Sequence, residues 1–262
     1  MLEVRNLRKV FGDFVAVDDV TFSLPGRGSL AVVGESGSGK TTTARMIAGL
    51  ETPSGGHVVV AGDDRRPGRT RSRGRRAGGR RIQMVFQDPY SSLDRRQRVR
   101  DAVAEAVLLH RRPPSDQLRD RVEELLDMVG LDDRQARSLP KALSGGQRQR
   151  VAIARALAAE PRVLILDEAI AALDVSIQAQ ILALLARIRA DTGTALLFIT
   201  HDLAAVRHIS DDVLVMRAGR AVEHGPVATV LGNPQDPYTQ RLIESVPKPG
   251  WRPRRRAGTA AA

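Results

Sequence analysis

The segment GESGSGKT at residues 34–41 has the residue types and spacing of a phosphate-binding loop. Its glycines let the backbone pass close to a polyphosphate, so that amides from Gly37 to Thr41 can point at negative oxygens. Lys40 would reach the β and γ oxygens, and the hydroxyl of Thr41 would bind Mg²⁺. The pattern therefore predicts a nucleoside triphosphate site. Its contacts are expected at Gly34, Ser36, Gly37, Ser38, Gly39, Lys40, Thr41 and Thr42.

Two adjacent carboxylates, Asp167 and Glu168, follow the aliphatic run VLIL and precede small apolar residues. A phosphate-binding loop needs a carboxylate at the end of a neighbouring buried strand, and Asp167 can hold Mg²⁺ directly or through water. Glu168 comes one residue later and could accept a hydrogen bond from the water that attacks the γ-phosphate. The alternative for Glu168 is a carboxylate that points to solvent at the end of a strand. The pair predicts hydrolysis of the bound nucleotide.

The elements that must position these residues alternate along the chain. Several of the later strand-like stretches are short and continuously apolar, as in strands buried on both faces of a parallel sheet. Apolar residues recur with helical spacing from Leu118 to Val129 and from Ile177 to Ile188. The pattern predicts an α/β fold. Strands are expected at 2–11, 16–24, 29–34, 57–62, 81–86, 162–167, 195–200 and 212–219.

One domain is expected over residues 1–246, and the segment from about 88 to 145 has helical patterns and no strand pattern. We interpret that segment as an inserted helical subdomain. The Arg- and Gly-rich stretch 63–80 has a composition that cannot bury a core, and the basic tail 247–262 is rich in Pro and Arg. Both are expected to lack regular structure.

The net charge of +11 is concentrated in two patches, since residues 65–81 hold nine arginines and residues 252–256 hold four. Aromatic residues make up only 3%, so few rings are available to stack on single-stranded bases. Nucleic acid is therefore not expected as a partner. The basic patches are interpreted as solvated faces or contacts with anionic lipid headgroups.

The absence of cysteine excludes disulfides, thiolate metal sites and cysteine-ligated iron–sulfur clusters. No apolar run approaches the roughly 18 to 20 residues of a spanning helix, and the first residues do not resemble a signal peptide. A cytosolic chain is expected.

The segment LSGGQRQR at 143–150 is not explained by a single nucleotide site, because the phosphate-binding loop already supplies what one site needs. The ordered set GESGSGKT, QMVFQD, LSGGQRQRVAIARAL, VLILDE, ALD and ITHD resembles the nucleotide-binding subunits of ABC transporters over nearly the whole chain. The stretches QDPYSSLD, LDVSIQAQIL and NPQDPYTQRLIESVP narrow the resemblance to the oligopeptide/dipeptide importer branch, and within it to the F-type ATPase subunit.

This resemblance implies a P-loop NTPase (RecA-like) core with an antiparallel β subdomain, the inserted helical subdomain and a family-specific C-terminal segment over about 226–246. It also implies that Phe11 stacks on adenine, where the alternative is an ordinary core Phe at the end of a strand. Gln87 would sense Mg²⁺ and the attacking water, unless it is only a polar strand end. The loop from Tyr90 to Asp94 would touch the membrane subunit. His201 would contact the γ-phosphate, and its alternative is a satisfied polar group at the sheet rim.

The resemblance implies further residues that act on a nucleotide bound to a partner chain. Ser144, Gly145, Gly146 and Gln147 would face that nucleotide's γ-phosphate, with amides at a helix N-terminus as the anion site. The alternative for Ser144 is a simple helix cap. Asp174 would cross the dimer interface, and its alternative is the N-cap of the helix from Val175.

The function implied by the resemblance is ATP- and Mg²⁺-dependent closure of two such chains, with hydrolysis reopening the pair. The second chain would be a D-type relative or another copy of this one. The remaining partners would be two transmembrane permease subunits and an external solute-binding protein, with the chain at the cytoplasmic face of the membrane. Two alternatives stay open: a soluble ABC protein that acts on DNA or ribosomes, and a nucleotide sensor that closes but barely hydrolyses.

The chain departs from the family pattern in two places. Ala169, Ile170 and Ala171 stand where Pro-Thr-Ser or Pro-Val-Ser is usual, so a proline and a hydroxyl are lost. We expect reduced but measurable turnover. The C-terminal segment reads DPY where HPY is common.

Overall fold

The computed structural model describes residues 1–65, 79–88, 93–110 and 113–245. Their strands form two sheets, one antiparallel with four strands and one mainly parallel with six. Apolar side chains of both sheets and of the helices around them are buried in three clusters. No helix in the described part of the chain is long and apolar enough to cross a membrane.

The antiparallel sheet has the strand order β2-β1-β4-β5. In β1, Leu2, Val4 and Leu7 are fully buried, while Arg5 and Asn6 are exposed. This sheet packs its apolar face toward the parallel sheet, in one cluster that includes Ile165. The bounds are β1 Leu2–Phe11, β2 Phe14–Leu24, β4 Gly55–Val60 and β5 Asp63–Arg65.

The second sheet has the order β10-β9-β3-β8-β7-β6. Its strands from β9 to β6 run parallel, and β10 is antiparallel to β9. All five residues in each of β3, β7 and β8 are buried, because the sheet is covered on both faces. The bounds are β3 Ser29–Val33, β6 Ile82–Val85, β7 Val163–Asp167, β8 Ala195–Ile199, β9 Asp212–Arg217 and β10 Arg220–Pro226.

Helices surround the parallel sheet and form the inserted segment. Val103 and Leu125 of that segment share one apolar cluster with Leu166 and Leu185 of the core, so the insertion is packed onto the sheet. The helices are α1 Lys40–Ala48, α2 Val99–His110, α3 Ser115–Met128, α4 Asp133–Ala136, α5 Gly145–Leu157, α6 Val175–Thr192, α7 Leu203–Ile209, α8 Val227–Gly232 and α9 Pro237–Glu244, with a 3₁₀ turn at Pro140–Ala142.

The predicted α/β class is confirmed, and each of the eight expected strands is present within two residues of its expected bounds. Two strands were missed. The expectation that 63–80 lacks regular structure is wrong at 63–65, because β5 pairs with β4 through its backbone and needs no apolar side chains. It is also wrong at residues 79–80, which begin a short helical turn. The segment Arg220–Pro226 forms β10 at the sheet edge, where half-exposed polar residues hide the strand pattern. Residues 66–78 and the tail from 246 lie outside the described residues.

Candidate nucleotide site

The carboxyl ends of four adjacent parallel strands bring the predicted site residues to one edge of the sheet. The phosphate-binding loop follows β3, and Gln87 lies two residues beyond β6. Glu168 follows β7, and His201 lies two residues beyond β8. The amide of Glu168 donates to the carbonyl of Ile199 at 2.9 Å, which ties the ends of β7 and β8 together. This edge is where ligands bind in parallel α/β sheets.

Lys40 is only 5% exposed, and its ammonium lies inside the phosphate-binding loop. Its Nζ donates to the carbonyl oxygens of Gly34 at 2.8 Å and of Glu35 at 2.7 Å, and to the hydroxyl of Ser38 at 3.3 Å. Burial lowers the pKa of Lys40, while the carboxylate of Glu168 acts in the opposite direction. The loop is therefore already folded around the positive charge of Lys40. Phosphate oxygens can bind this ammonium in place of the loop carbonyls.

Gly34, the first residue of the loop, cannot carry a side chain. Its φ is 149°, and a Cβ added there would lie 2.1 Å from the carbonyl oxygen of Met216 in β9. The chain thus turns from β3 into the loop with its backbone against β9. Among the other predicted loop residues, Ser36 and Gly37 are exposed, Ser38 is buried, Gly39 precedes α1, and Thr42 is in its first turn.

Thr41 and Asp167 meet beside this loop. The Thr41 hydroxyl donates to Oδ1 of Asp167 at 3.1 Å, and Asp167 is 7% exposed. Burial raises the pKa of Asp167, and the hydrogen bond from Thr41 acts against that rise. A hydroxyl and a carboxylate in this arrangement are oxygen ligands of the kind that Mg²⁺ prefers. Two of the three residues predicted to contact the metal, Thr41 and Asp167, are therefore adjacent, while the third, Gln87, follows β6.

Glu168 and His201 lie next to each other at the same edge. Nδ1 of His201 is 3.6 Å from Oε1 of Glu168, and the side chains are 64% and 25% exposed, in that order. Glu168 has a φ of 48°, a backbone conformation that non-glycine residues rarely adopt. Such conformations are often found at functional sites. The arrangement places a partly buried carboxylate between β7 and the imidazole.

Ser144 and Gln147 form a capping box at the start of α5. The hydroxyl of Ser144 accepts from the amide of Gln147 at 3.3 Å, and Oε1 of Gln147 accepts from the amide of Ser144 at 2.9 Å. Ser144 therefore does cap the helix, as the alternative interpretation of this residue expects. Ser144 is also exposed, so the same hydroxyl and the helix N-terminus remain accessible to an anion.

Gly146 allows α5 to approach α6 closely. A Cβ added at Gly146 would lie 2.5 Å from Cγ2 of Ile177, and one added at Gly145 would lie 3.2 Å from Cδ2 of Leu173. The sequence pattern gave these glycines a role toward a nucleotide and missed the role in packing. Ile177 was recognised only as part of a helical stripe.

Phe11 and Asp174 are both exposed. The ring of Phe11 is 47% exposed with Nζ of Lys9 at 4.7 Å from its centroid, so the core alternative for Phe11 is wrong. Asp174 occupies the N-cap position of α6 without a side-chain capping hydrogen bond. Gln87 is exposed, and Tyr90 lies outside the described residues.

A family model described as ABC transporter matches residues 17–171. The chain belongs to the ABC transporter family. Among curated relatives, the di/tripeptide transport ATP-binding protein DppF of Pseudomonas aeruginosa (strain UCBPP-PA14) is 43% identical over 243 residues, which cover 93% of this chain and 75% of DppF. The oligopeptide transport ATP-binding protein OppF of Bacillus subtilis (strain 168) is 42% identical over 254 residues, which cover 95% and 83%. The resemblance inferred from the motifs is confirmed.

The fold of this ABC protein is also that of solved cassettes. A dimeric structure of the ATP-binding cassette MJ0796, in a post-hydrolysis state bound to ADP and Pi, has a TM-score of 0.75 and 27% identity. The match covers 87% of this chain and 99% of that one. The P-loop core with its two subdomains, expected from the sequence, is thereby confirmed.

Proposed function

We propose that this chain is the ATP-binding and ATP-hydrolysing subunit that energises uptake of oligopeptides, dipeptides or a related solute by an ABC importer. The observation that carries the proposal is the convergence of Lys40, Asp167, Glu168 and His201 at one edge of the parallel sheet. The solute class is supported by relatives that transport di/tripeptides and oligopeptides.

In the proposed mechanism the loop binds the nucleotide's phosphates through backbone amides, the N-terminus of α1 and Lys40. The Lys40 ammonium exchanges the carbonyls of Gly34 and Glu35 for phosphate oxygens. An added anion favours the charged form of Lys40, against the effect of burial. Phe11, exposed at the end of β1, is proposed to stack on adenine.

Thr41 and Asp167 are proposed to hold Mg²⁺, with Gln87 as a further contact from the end of β6. The fit rests on the hydroxyl and carboxylate oxygens 3.1 Å apart, one of them on a buried anion. When bound, Mg²⁺ neutralises charge on the β and γ oxygens. The carboxylate of Asp167 is held next to Thr41 because β7, which carries it, is paired on both sides with β6 and β8.

Glu168 is proposed to accept a hydrogen bond from the attacking water and to take its proton. His201 is proposed to contact the γ-phosphate from the end of β8. The 3.6 Å separation between the imidazole and the carboxylate lets His201 restrict where the Glu168 side chain points. The two groups thus define one side of the reaction centre.

The residues from Ser144 to Gln147 are proposed to complete the site of a second ATPase subunit, and Asp174 to lie at the interface with it. Support comes from the exposure of Ser144 and Asp174 and from the dimeric MJ0796 cassette. Closure around two nucleotides, and reopening after hydrolysis, would then move the attached membrane subunits.

The replacement Glu168→Gln tests the hydrolytic role. It removes the base and keeps the size of the side chain, so phosphate release should fall by about 100-fold while ATP still binds. Glu124→Gln, an exposed carboxylate in α3, is the matched control and should retain the native rate. Equal phosphate release from the native chain and Glu168→Gln would instead favour the non-catalytic sensor.

The proposed partners are a D-type ATPase subunit or a second copy, two permeases and an external solute-binding protein, which would place the chain at the cytoplasmic face of the membrane. Purification of the tagged chain from its own cells in detergent tests this. Two membrane proteins and a second ATPase should co-purify in fixed proportion. Recovery with nucleic acid or ribosomes instead would contradict the importer role.

A further inference from the structure

Tyr238 in the C-terminal segment contacts the phosphate-binding loop directly. The side chain is 4% exposed, and its hydroxyl oxygen accepts a hydrogen bond from the amide of Glu35 at 3.0 Å. That amide and the carbonyl of Gly34 belong to one peptide group. The carbonyl accepts from Nζ of Lys40 at 2.8 Å. One rigid peptide plane is therefore held by Tyr238 on one side and by Lys40 on the other.

The phenol is held in place by its surroundings. Its ring packs in the apolar cluster that contains Val33, the last residue of β3, and Val230 of α8. The guanidinium of Arg217 lies 5.1 Å from the ring centroid, within the range of a cation–π contact. Because the ring cannot move freely, its hydroxyl is a fixed acceptor and not an incidental one.

The helix that carries Tyr238 starts at a well-defined point. Asp236 caps α9 by accepting from the amide of Tyr238 at 2.7 Å, and Pro237 takes the first helical position. Glu223 of β10 accepts from the amides of Gln235 at 2.9 Å and Asp236 at 3.2 Å. The N-cap of this helix is thus the carboxylate of Asp236. His is common at this position in the oligopeptide/dipeptide importer branch that the sequence resembles.

We propose that Tyr238 is a positioning residue for ATP binding, through which the C-terminal segment sets the geometry of the phosphate-binding loop. The hydroxyl fixes the Gly34–Glu35 peptide, and this peptide fixes the path by which the loop leaves β3. Without that acceptor the peptide can rotate, and the loop amides lose part of their alignment toward phosphate. The inference rests on the proposed role of the loop in nucleotide binding.

The test compares two hydroxyl deletions on the same helix, Tyr238→Phe and Thr239→Val. Thr239 is fully buried, and its hydroxyl has no hydrogen-bond partner among the described residues. Tyr238→Phe should raise the Kd and the KM for ATP by about three- to tenfold, the range of one lost hydrogen bond, while kcat changes by less than about twofold. Thr239→Val should leave Kd, KM and kcat at native values.

Thermal unfolding of both variants separates positioning from general loosening of the fold. If the two variants have equal Tm values, we expect Tyr238→Phe to lose more ATP affinity than Thr239→Val does. Native ATP affinity in Tyr238→Phe would overturn the proposal. If Tyr238→Phe does not fold, Asp236→Ala weakens the helix start and keeps the hydroxyl. A KM raised by about twofold then supports the proposal, and an unchanged KM with a lowered Tm contradicts it.

Lys40→Ala distinguishes failure of this inference from failure of the proposed function. Loss of ATP binding in Lys40→Ala together with native affinity in Tyr238→Phe would contradict only the role inferred for Tyr238. Native ATP binding in Lys40→Ala would contradict the proposed nucleotide site itself.

Discussion

The hydroxyl of Thr41 and the carboxylate of Asp167 are joined by a 3.1 Å hydrogen bond between residues 126 positions apart in the chain. Asp167→Asn keeps the shape and the acceptor oxygen but removes the charge proposed to bind Mg²⁺. We expect phosphate release to fall by about 10- to 100-fold and its Mg²⁺ requirement to rise. Phosphate release measured over a series of Mg²⁺ concentrations checks this. Asp191→Asn, exposed in α6, is the control, and equal Mg²⁺ dependence in both variants would contradict the assignment.

The same Asp167→Asn replacement should stabilise the nucleotide-free protein. Burial raises the pKa of Asp167 above its ordinary value of 3.8, so between the two values the folded state binds the proton better than the unfolded chain does. Ionised Asp167 therefore weakens the fold above the raised pKa. In EDTA at pH 7 the variant should have the higher Tm, and the difference should shrink as pH falls through the raised pKa. A lower Tm for the variant at pH 7 would show that the carboxylate is well solvated or well paired.

The turn after Glu168 should respond to restoring the residues usual in the family. Glu168 has a φ of 48°, and proline at the next position drives the preceding residue toward extended backbone. Ala169→Pro, Ala171→Ser should therefore be less stable than the native chain, by about 1 to 3 kcal/mol. Proline also fixes φ at position 169, and we expect this more restricted turn after Glu168 to make hydrolysis faster.

Urea unfolding and phosphate release measured on the same samples check both parts. Ala171→Ser alone is the control, because Ala171 is exposed and its replacement does not restrict the backbone next to Glu168. Indistinguishable turnover in the native and double-variant proteins would contradict the idea that this turn limits the rate.

The parts of the site that could be predicted from sequence are those encoded within a few neighbouring residues. The loop around Lys40 and the strand that ends at Asp167 each carry their own pattern, and a parallel sheet brings strand ends together. The edge strand β10 was missed since its half-exposed residues give no continuous apolar run.

The contact between Glu35 and Tyr238 could not be predicted in this way. It joins residues 203 positions apart through a backbone amide, which any residue type supplies. The capping pair of Ser144 and Gln147 was visible in the sequence as S-x-x-Q, but its second role depends on another chain. Only the folded structure shows that Gly146 faces Ile177.

The contact between Gly146 and Ile177 can be tested with a destabilising substitution and a second substitution that should compensate for it. In Gly146→Ala the new Cβ would lie 2.5 Å from Cγ2 of Ile177, so α5 must move away from α6 or Ile177 must change rotamer. Overpacking of this kind costs about 1 to 3 kcal/mol, and we expect lower stability and slower phosphate release because Ser144 is displaced with α5. Adding Ile177→Leu removes the branch at Cβ and should restore part of both losses. A double-mutant cycle measures the coupling, since two contacting residues should deviate from additivity by more than about 0.5 kcal/mol. If Gly146→Ala loses activity at native stability and Ile177→Leu restores nothing, the packing contact is irrelevant and the glycine acts only toward the nucleotide.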